Sequence, residues 1–442
     1  MNIFLILLGK LLSIISRFLN VGSGSTWPGH IALNINKNFI KDILKNSKVK
    51  IILIAGTNGK TTTAKLIKEI LEKDGKKIIQ NQAGANLLNG IASSLLLRSS
   101  ILCKVNYNFA IFEVDENTLP LILKECNPDF LIFLNLFRDQ LDRYGEVNTV
   151  AKKWENALKK INKNTTLILN ADDPQIAFLG LPRGGVSIPP LRWKDNALFF
   201  GLKNRNTNTS IHQHASDSTY CPNCREKLTY NSIYFSHLGD WECKECGYKR
   251  PTKVFTKSPF YPLVGAYNEY NANAAVLLTT QIGIDKRTIS SALQNFKPAF
   301  GRQEILHADE KKIQIFLSKN PTGFNESLKA IADLNAKNLL IILNDRIPDG
   351  RDVSWIWDVD FEDFIYSFKS IVISGERIYD MALRVKYAQH FVSDFLFLTE
   401  ANLKKAISVS LENTPKNETL YILPTYSAML EVRKILTGKK ML

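Results

Sequence analysis

The sequence is poor in three features, and each shortage excludes a class of protein. Its six cysteines are too few for a disulfide scaffold in a chain of 442 residues. The uninterrupted apolar run of its N-terminus, residues 3–8, is much shorter than the roughly 20 residues that span a bilayer. Acidic residues number 42 against 57 basic ones, so the formal net charge is +15. This surplus favours an anionic partner: a nucleotide, a phosphorylated substrate, a nucleic acid or an acidic membrane surface.

The overall composition is that of a soluble globular protein. Hydrophobic residues make up 45% of the chain and charged residues 22%. This balance excludes a disordered chain, a fibrous repeat and a polytopic membrane protein. The length predicts two to four domains.

The first 20 residues are strongly apolar, although Lys10 and Arg17 interrupt them. They lack the charge order and the cleavage site of a signal peptide, so we expect a cytoplasmic protein. Apolar residues at three- and four-residue steps predict an amphipathic helix: Leu5, Leu8, Leu12, Ile15 and Leu19. Such a helix either docks against the rest of the protein or lies on the membrane surface.

A phosphate-binding loop follows the first predicted strand. Residues 51–54 form a continuous apolar run, typical of a buried parallel strand, and a helix is predicted from about Thr62 to Lys73. In such a pattern backbone N–H groups face a phosphate, Lys60 reaches the β- and γ-phosphates, and the Thr61 hydroxyl ligates Mg²⁺. The candidate nucleotide-binding residues are Gly56, Thr57, Asn58, Gly59, Lys60, Thr61 and Thr62.

Carboxylates at the end of another predicted strand are candidates for the same metal. The apolar run 109–114 is interrupted by Glu113 and followed by Asp115 and Glu116. A carboxylate at this end of a strand, opposite a phosphate loop, can hold Mg²⁺, and the alternative is a solvated strand end. Further apolar runs alternate with helical stretches, which predicts a parallel sheet covered on both faces.

Four cysteines form two C-x-x-C pairs, the spacing of a zinc ribbon: Cys221, Cys224, Cys243 and Cys246. Four thiolates complete the tetrahedral shell of one Zn²⁺, so we expect a structural and not a catalytic metal. The nearby His212, His214 and His237 are expected to be polar surface residues.

Taken in order, these motifs resemble the Mur ligase family, the ATP-dependent ligases of peptidoglycan precursor synthesis, of which folylpolyglutamate synthase is a cousin. The matching segments are residues 56–61, the Glu113 strand, and residues 135–142, 170–174, 265–271 and 301–302. The resemblance implies that Asn268 and Asn271 contact adenine and that Arg302 reaches the terminal phosphate. It also makes Thr61 and Glu113 the Mg²⁺ ligands and Lys60 a catalytic residue.

The predicted fold is α/β with three parts. Residues 1–45 form an N-terminal helix and lead segment. Residues 46–300 form a Mur-ligase-like ATPase domain with a parallel sheet and a zinc-ribbon insert at about 210–250. Residues 301–442 form a C-terminal doubly wound α/β domain.

The sequence departs from the family pattern in three places. Members that take UDP-linked precursors carry a substrate domain before the phosphate loop, where only residues 1–55 stand here, so we expect a UDP-binding domain to be absent or vestigial. Gln140 occupies the position of a typical histidine. A carbamylated lysine of the family would fall near Lys152 or Lys153.

The combination of a Mur-ligase-like core, a missing UDP-binding domain and a four-cysteine ribbon is similar to the branch of the family that serves lipid II isoglutaminyl synthase. The resemblance implies amidation of the α-carboxyl of D-glutamate in the lipid II stem peptide, with ammonia from a separate amidotransferase subunit, GatD. It also implies that an aspartate of this chain completes the partner's Cys-His pair: Asp349 as first choice and Asp352 as second. The alternative for Asp349 is a carboxylate that caps a turn or helix.

Two other functions stay open. One is a ligase of the same fold that adds amino acids and needs no amidotransferase partner. The other is a nucleic-acid-binding ATPase with a zinc ribbon, although we expect no nucleic acid because the sequence shows no basic-aromatic platform. The net positive charge then favours the binding of ATP, of a pyrophosphate-linked lipid and of the acidic inner leaflet of the membrane.

Overall fold

Two mainly parallel β-sheets organise the chain, as a computed structural model shows. The structure describes residues 1–18, 26–82, 84–139, 146–180, 196–203, 213–308, 310–389 and 396–438, with the side chains of residues 15–18 and 396 left out. The predicted α/β class is confirmed.

In the described part of the N-terminal segment, three helices precede the first sheet: α1 (Asn2–Phe18), α2 (Trp27–Ile35) and α3 (Phe39–Lys45). α1 packs on the protein, because Leu5 and Ile6 are buried whereas Leu8 and Leu12 are only partly buried. Among the described helices, none combines the length and the apolar character needed to cross a bilayer.

The larger sheet has seven parallel strands, and a separate hairpin interrupts their sequence. The strands of this region are β1 (Lys50–Ala55), β2 (Ile78–Gln80), β3 (Phe109–Glu113), β4 (Phe130–Phe133), β5 (Thr166–Asn170), β6 (Ala197–Phe200), β7 (Thr229–Phe235), β8 (Leu238–Glu242) and β9 (Val254–Phe255). The spatial order is β2-β3-β1-β4-β5-β6-β9, and β7 pairs with β8 in the hairpin.

Helices cover both faces of this sheet. They are α4 (Lys60–Lys73), α5 (Leu88–Arg98), α6 (Leu119–Glu125), α7 (Val147–Leu158), α8 (Pro174–Phe178), α9 (Ala266–Ile282) and α10 (Lys286–Gln294). Since successive strand residues point to opposite faces, Leu53 belongs to one apolar core and Ile52 to the other. This two-sided burial explains the continuous apolar run of β1.

The β7–β8 hairpin belongs to an insert between the neighbouring strands β6 and β9. The insert is anchored to the segment after β5: the Trp241 indole N–H donates to the Ala171 carbonyl at 3.1 Å, and the Arg250 guanidinium pairs with Asp172 at 2.6 Å. The Phe178 and Tyr248 rings also meet edge to face. The insert is therefore attached to the sheet by contacts as well as by its two chain connections.

The second sheet has six strands in the order β10-β11-β15-β12-β13-β14. Its strands are β10 (Arg302–Ala308), β11 (Lys311–Phe316), β12 (Asn338–Ile342), β13 (Ser370–Ser374), β14 (Leu396–Thr399) and β15 (Thr419–Pro424), and its helices are α11 (Pro321–Asp333), α12 (Ile378–Ala388), α13 (Leu403–Glu412) and α14 (Tyr426–Thr437). All pairs are parallel except β10 with β11, so the sheet carries an antiparallel edge that the apolar runs did not predict.

Candidate functional site

The main cleft lies where the carboxyl ends of the central strands face the second sheet. Residues of the phosphate loop and Glu113 line it from one side, and Arg302 and Lys319 line it from the other. Open parallel sheets bind ligands at this edge, beyond the carboxyl ends of their strands.

The phosphate loop has the backbone that an anion cradle needs. It connects β1 to α4, with Gly56 and Gly59 at φ 143° and 90°. A Cβ on Gly59 would lie 2.1 Å from the Asn271 side-chain oxygen, so only glycine fits there. The loop is held open by Asn135, whose carbonyl accepts from the Thr57 N–H at 3.1 Å and whose side chain accepts from the Asn58 N–H at 2.9 Å.

Lys60, the first residue of α4, folds back across the loop. Its ammonium group donates to the Gly56 carbonyl and lies 3.4 Å from a Glu116 carboxylate oxygen. Glu116 is buried. A phosphate in the loop would compete with these contacts for the ammonium group.

Thr61 and Glu113 meet although they are far apart in sequence. The parallel register of β1 and β3 sets Glu113 opposite Ile54, just before the loop, and the Thr61 hydroxyl donates to Glu113 at 2.7 Å. Burial raises the pKa of Glu113, and the bond from Thr61 and the charge of Lys60 offset part of that rise. A hydroxyl and a carboxylate that converge beside a phosphate cradle fit the oxygen ligands of Mg²⁺.

The part of the cleft next to the loop combines amides with aromatic rings. Asn268 and Asn271 line it, and the Asn271 amide donates to the Asn268 side-chain oxygen at 3.2 Å. Thr62 lines it as well, together with Phe137, Phe235 and Tyr267. These three rings were missed by the sequence reasoning. An amide pair beside aromatic faces suits a planar, hydrogen-bonding base.

Arg302 borders both parts of the cleft. Burial lowers the pKa of its guanidinium below the usual arginine value, and the nearby Glu113 carboxylate offsets part of that effect. An arginine remains charged under such conditions, so it supplies a partly desolvated cation to the cleft.

Polar contacts join the two sheets across the cleft. Lys319 forms a salt bridge with Asp139, and the Asn320 amide donates to the Asn58 side-chain oxygen at 3.0 Å. Burial lowers the pKa of Lys319, but the carboxylates of Asp139 and Glu116 outweigh burial and raise it overall. These contacts hold the phosphate loop in register with the second sheet.

A smaller cavity beside Lys319 contains both candidate aspartates. Asp349 is buried, and both of its carboxylate oxygens accept hydrogen bonds from Ser427, at the start of α14. Burial raises its pKa, although the Ser427 bonds work against that rise. Asp352 is exposed, and its carboxylate accepts the Ser354 N–H at 2.8 Å. Asp349 thus caps a helix while it lines the cavity.

The four cysteines of the insert form one cluster. Their ligand atoms all lie within 4.8 Å of one another, with sulfur separations of 3.6 Å for Cys221 and Cys246 and 3.4 Å for Cys224 and Cys243. Tetrahedral Zn–S bonds of about 2.3 Å require sulfurs ~3.8 Å apart. The donor set and its spacing therefore fit Zn²⁺.

The expectation of a surface position is wrong for His237. Its side chain is fully buried against Phe137, with Nε2 3.5 Å from an Asp173 carboxylate oxygen, because the hairpin end that carries it docks on the sheet. His214 is exposed and contacts Asp360 of the second sheet region at 2.5 Å. The predictions on His212 and Gln140 lie outside the described residues.

Both candidate lysines of α7 are exposed. Lys153 donates to the Asn117 side-chain oxygen at 3.0 Å, and neither lysine lines the described cleft.

Two family models match the chain. The Mur ligase middle domain matches residues 54–279, and the MurT ligase C-terminal domain matches residues 317–429.

Curated relatives match over nearly the whole chain. The MurT subunit of lipid II isoglutaminyl synthase (glutamine-hydrolyzing) from Staphylococcus aureus (strain COL) is 31% identical, over 92% of this chain and 91% of the relative. The subunit of the same name from Streptococcus pneumoniae (strain R6) is 30% identical, over 95% and 94%.

Solved structures share the fold. A pseudomurein peptide ligase type C from Methanothermus fervidus aligns with a TM-score of 0.64 and 22% identity, over 90% of this chain and 81% of that one. The MurF ligase from Thermotoga maritima in complex with ADP aligns with a TM-score of 0.59 and 12% identity, over 90% and 82%. The chain belongs to the MurT family, in which a Mur ligase middle domain is joined to the MurT ligase C-terminal domain.

Proposed function

We propose that this chain is the ATP-dependent subunit of a lipid II isoglutaminyl synthase. It amidates the α-carboxyl of D-glutamate in the lipid II stem peptide and takes ammonia from a glutaminase partner subunit of the GatD type. The observation that carries the proposal is the convergence of Lys60, Thr61, Glu113 and Arg302 on one cleft, in a chain that resembles the S. aureus MurT subunit over most of its length.

ATP and Mg²⁺ fit the main cleft. The residues that would hold ATP are Gly56, Thr57, Asn58, Gly59, Lys60, Thr61 and Thr62 at its phosphates, and Asn268 and Asn271 at its base. Thr61 and Glu113 would hold Mg²⁺, which neutralises charge on the phosphates when bound. Lys60 and Arg302 line the same cleft, so they would place two cations beside the terminal phosphate.

The reaction consists of two transfers. The substrate carboxylate oxygen attacks the γ-phosphorus, the bond to the β-phosphate oxygen breaks, and ADP leaves with that electron pair. Ammonia then attacks the acyl carbon, phosphate leaves, and the nitrogen gives up one proton to form the amide. Lys60 and Arg302 stabilise the charge on the transferring group in the first step and on departing phosphate in the second.

The cysteines support a separate source of ammonia. Glutamine hydrolysis needs an activated thiolate with a histidine partner. Burial raises the pKa of Cys126 to about 12, so this thiol stays protonated. Four others belong to the metal cluster, and Cys103 does not line the described cleft. These cysteines therefore favour ammonia that is supplied by a separate subunit.

The partner subunit would dock on the second sheet, beside the cavity of Asp349. Exposed aromatic and apolar side chains of α12 face outwards there, namely Tyr379, Leu383 and Tyr387. Tyr387 contacts the ring of Trp357, whose neighbour Asp358 lines that cavity. Aromatic anchors of this kind dominate the binding energy of many interfaces. This placement lets Asp349 serve the partner's active site, with Asp352 as the second candidate.

Reconstitution with a GatD-type subunit, lipid II and ATP tests the proposal. The nitrogen source is either glutamine or an ammonium salt, and mass spectrometry follows conversion of the carboxyl to an amide. We expect Lys60→Ala to abolish amidation with both sources, because phosphoryl transfer fails. Lys68→Ala, an exposed lysine of the same helix, is the matched control and should keep full activity.

In the same assay, Asp349→Asn distinguishes a role of Asp349 in the glutaminase step from a structural role. It should abolish amidation from glutamine while activity with the ammonium salt persists, since only the glutaminase step uses it. Loss with both sources would assign Asp349 a structural role as the cap of α14. ATP turnover that depends on an added amino acid and forms no amide from ammonia would instead establish the amino-acid-adding ligase.

A further inference from the structure

The outer face of α1 is apolar along its whole described length. Leu5 and Ile6 point into the protein, but five large apolar residues at helical spacing are exposed: Ile3, Phe4, Leu7, Leu11 and Ile14. Their exposed fractions run from 48% for Ile3 to 65% for Ile14. Soluble proteins seldom leave such a contiguous stripe in water without a partner.

Two neighbouring segments extend this surface. Trp27 and Ile35, at the two ends of α2, are exposed, and so are Ile101 and Leu102 in the loop after α5. The Lys10 ammonium donates to the Ser99 carbonyl at 2.7 Å, which sets the middle of α1 beside that loop. These residues and the α1 stripe together are called the outer apolar face below.

The charged residues of the N-terminal segment are almost all basic. The first 41 residues contain no aspartate or glutamate but include Lys10, Arg17, Lys37 and Lys41. The first acidic residue, Asp42, lies at the start of α1, where its carboxylate accepts hydrogen bonds from Asn2 and Asn36. A protein partner would offer a mixed rim, whereas a cationic apolar helix face matches an anionic bilayer.

Packing contacts connect the outer apolar face to the cleft. Gly29, two residues after Trp27, packs on α5: its N–H donates to Ser93 Oγ at 2.8 Å, and a Cβ there would lie 2.0 Å from the Asn89 carbonyl. Asn86 and Leu87, immediately before α5, line the cleft with Lys60 and Glu113. The N-terminal end of α5 thus connects the outer apolar face to one wall of the cleft.

We infer that the outer apolar face docks on an anionic lipid bilayer. The helix lies in the membrane plane and holds the cleft beside the headgroups. This inference rests on the proposed function for its purpose, since a lipid-linked acceptor stays in the leaflet and the enzyme must come to it. Vesicle binding itself requires no acceptor, so the two can be tested apart.

Flotation with vesicles of phosphatidylglycerol and phosphatidylcholine, without lipid II, tests the docking on the full chain. We expect binding that weakens in pure phosphatidylcholine and at high salt. Leu7→Gln with Leu11→Gln should lower the partition coefficient roughly 30-fold, since both half-exposed leucines enter the interface. The matched control, Ile305→Gln with Leu334→Gln, changes exposed apolar residues of the second sheet region and should bind like the wild type.

Three outcomes would overturn the docking. They are absence of flotation with anionic vesicles, equal binding by the Leu7 and Leu11 variant, and a dimer in solution that this variant dissociates. Amidation of lipid II in detergent without vesicle binding would reject the docking and keep the proposed function. Vesicle binding without any amidation would support the docking and reject the proposed function.

Discussion

The two sides of the cleft are built in different ways. The central side supplies its phosphate-binding groups from one short segment, residues 56–62, and from the adjacent strand end at Glu113. The second sheet supplies single residues that are far apart in sequence, such as Arg302, Lys319 and Asp349. Local backbone geometry positions the first set, whereas contacts between the sheets position the second.

This difference assigns separate tasks to the two sides. A loop of backbone N–H groups binds phosphate without help from the other sheet. A cation from the second sheet acts only when the two sheets meet, as the salt bridge of Lys319 with Asp139 makes them do. We therefore expect the central side to govern ATP binding and the second side to govern turnover.

Removal of the Arg302 guanidinium is the strongest test of this division between ATP binding and turnover. Arg302→Ala should leave ATP affinity nearly unchanged and lower the amidation rate about 10³-fold, because a transferring phosphoryl group loses a desolvated cation. Isothermal titration with ATP and single-turnover kinetics measure the two effects. Arg302→Lys should recover part of the rate, and Lys312→Ala, an exposed cation of β11, should change nothing. An equal loss of affinity would place Arg302 on the binding side.

Removal of two zinc ligands tests whether the zinc-ribbon insert contributes to ATP binding on the central side of the cleft. Phe235 lies at the end of β7 and lines the base region of the cleft. Cys221→Ser with Cys224→Ser should remove about one zinc per chain and raise the KM for ATP about tenfold, which corresponds to ~1.4 kcal/mol. Metal analysis and steady-state kinetics check both, with Cys103→Ser as the control. Full zinc content in the double variant would contradict the ribbon.

The smallest effect concerns the contact between His214 and Asp360. The hydrogen bond to Asp360 raises the pKa of His214, so the pair stabilises the fold below the ordinary histidine value and weakens as pH rises through the raised pKa. Because His214 is exposed, the change should stay below about 1 kcal/mol. Urea unfolding from roughly pH 6 to pH 8 measures it. His214→Gln should flatten this part of the profile, and an unchanged slope would deny the contact a role.

The predictions from sequence succeeded where a few neighbouring residues specify the local geometry. The strand before the loop, the glycines at 56 and 59 and the two C-x-x-C pairs each lie in the structure as expected. The burial of His237 and the role of Phe235 at the cleft were not predictable. Both depend on how the end of one hairpin docks on distant strands, and no local pattern encodes that docking.

The N-terminal helix shows the same limit on what a local sequence pattern can predict. Its apolar residues predicted a helix with one apolar face through Leu5, Leu8 and Leu12, but further apolar residues lie on its other side, so the pattern did not specify which face is buried. The side chains of Ile15 and Leu19, predicted on the same face, lie outside the described residues. The packing of α1 on α2 and α5 decided that Leu5 and Ile6 turn inwards and left Phe4, Leu7 and Leu11 outside. The α/β class, the phosphate loop and the two C-x-x-C pairs could be predicted from the sequence, because they depend on neighbouring residues and their backbone. Which distant side chains meet in the cleft, and which apolar face of α1 stays exposed, follow from the packing of whole elements and so required the tertiary structure.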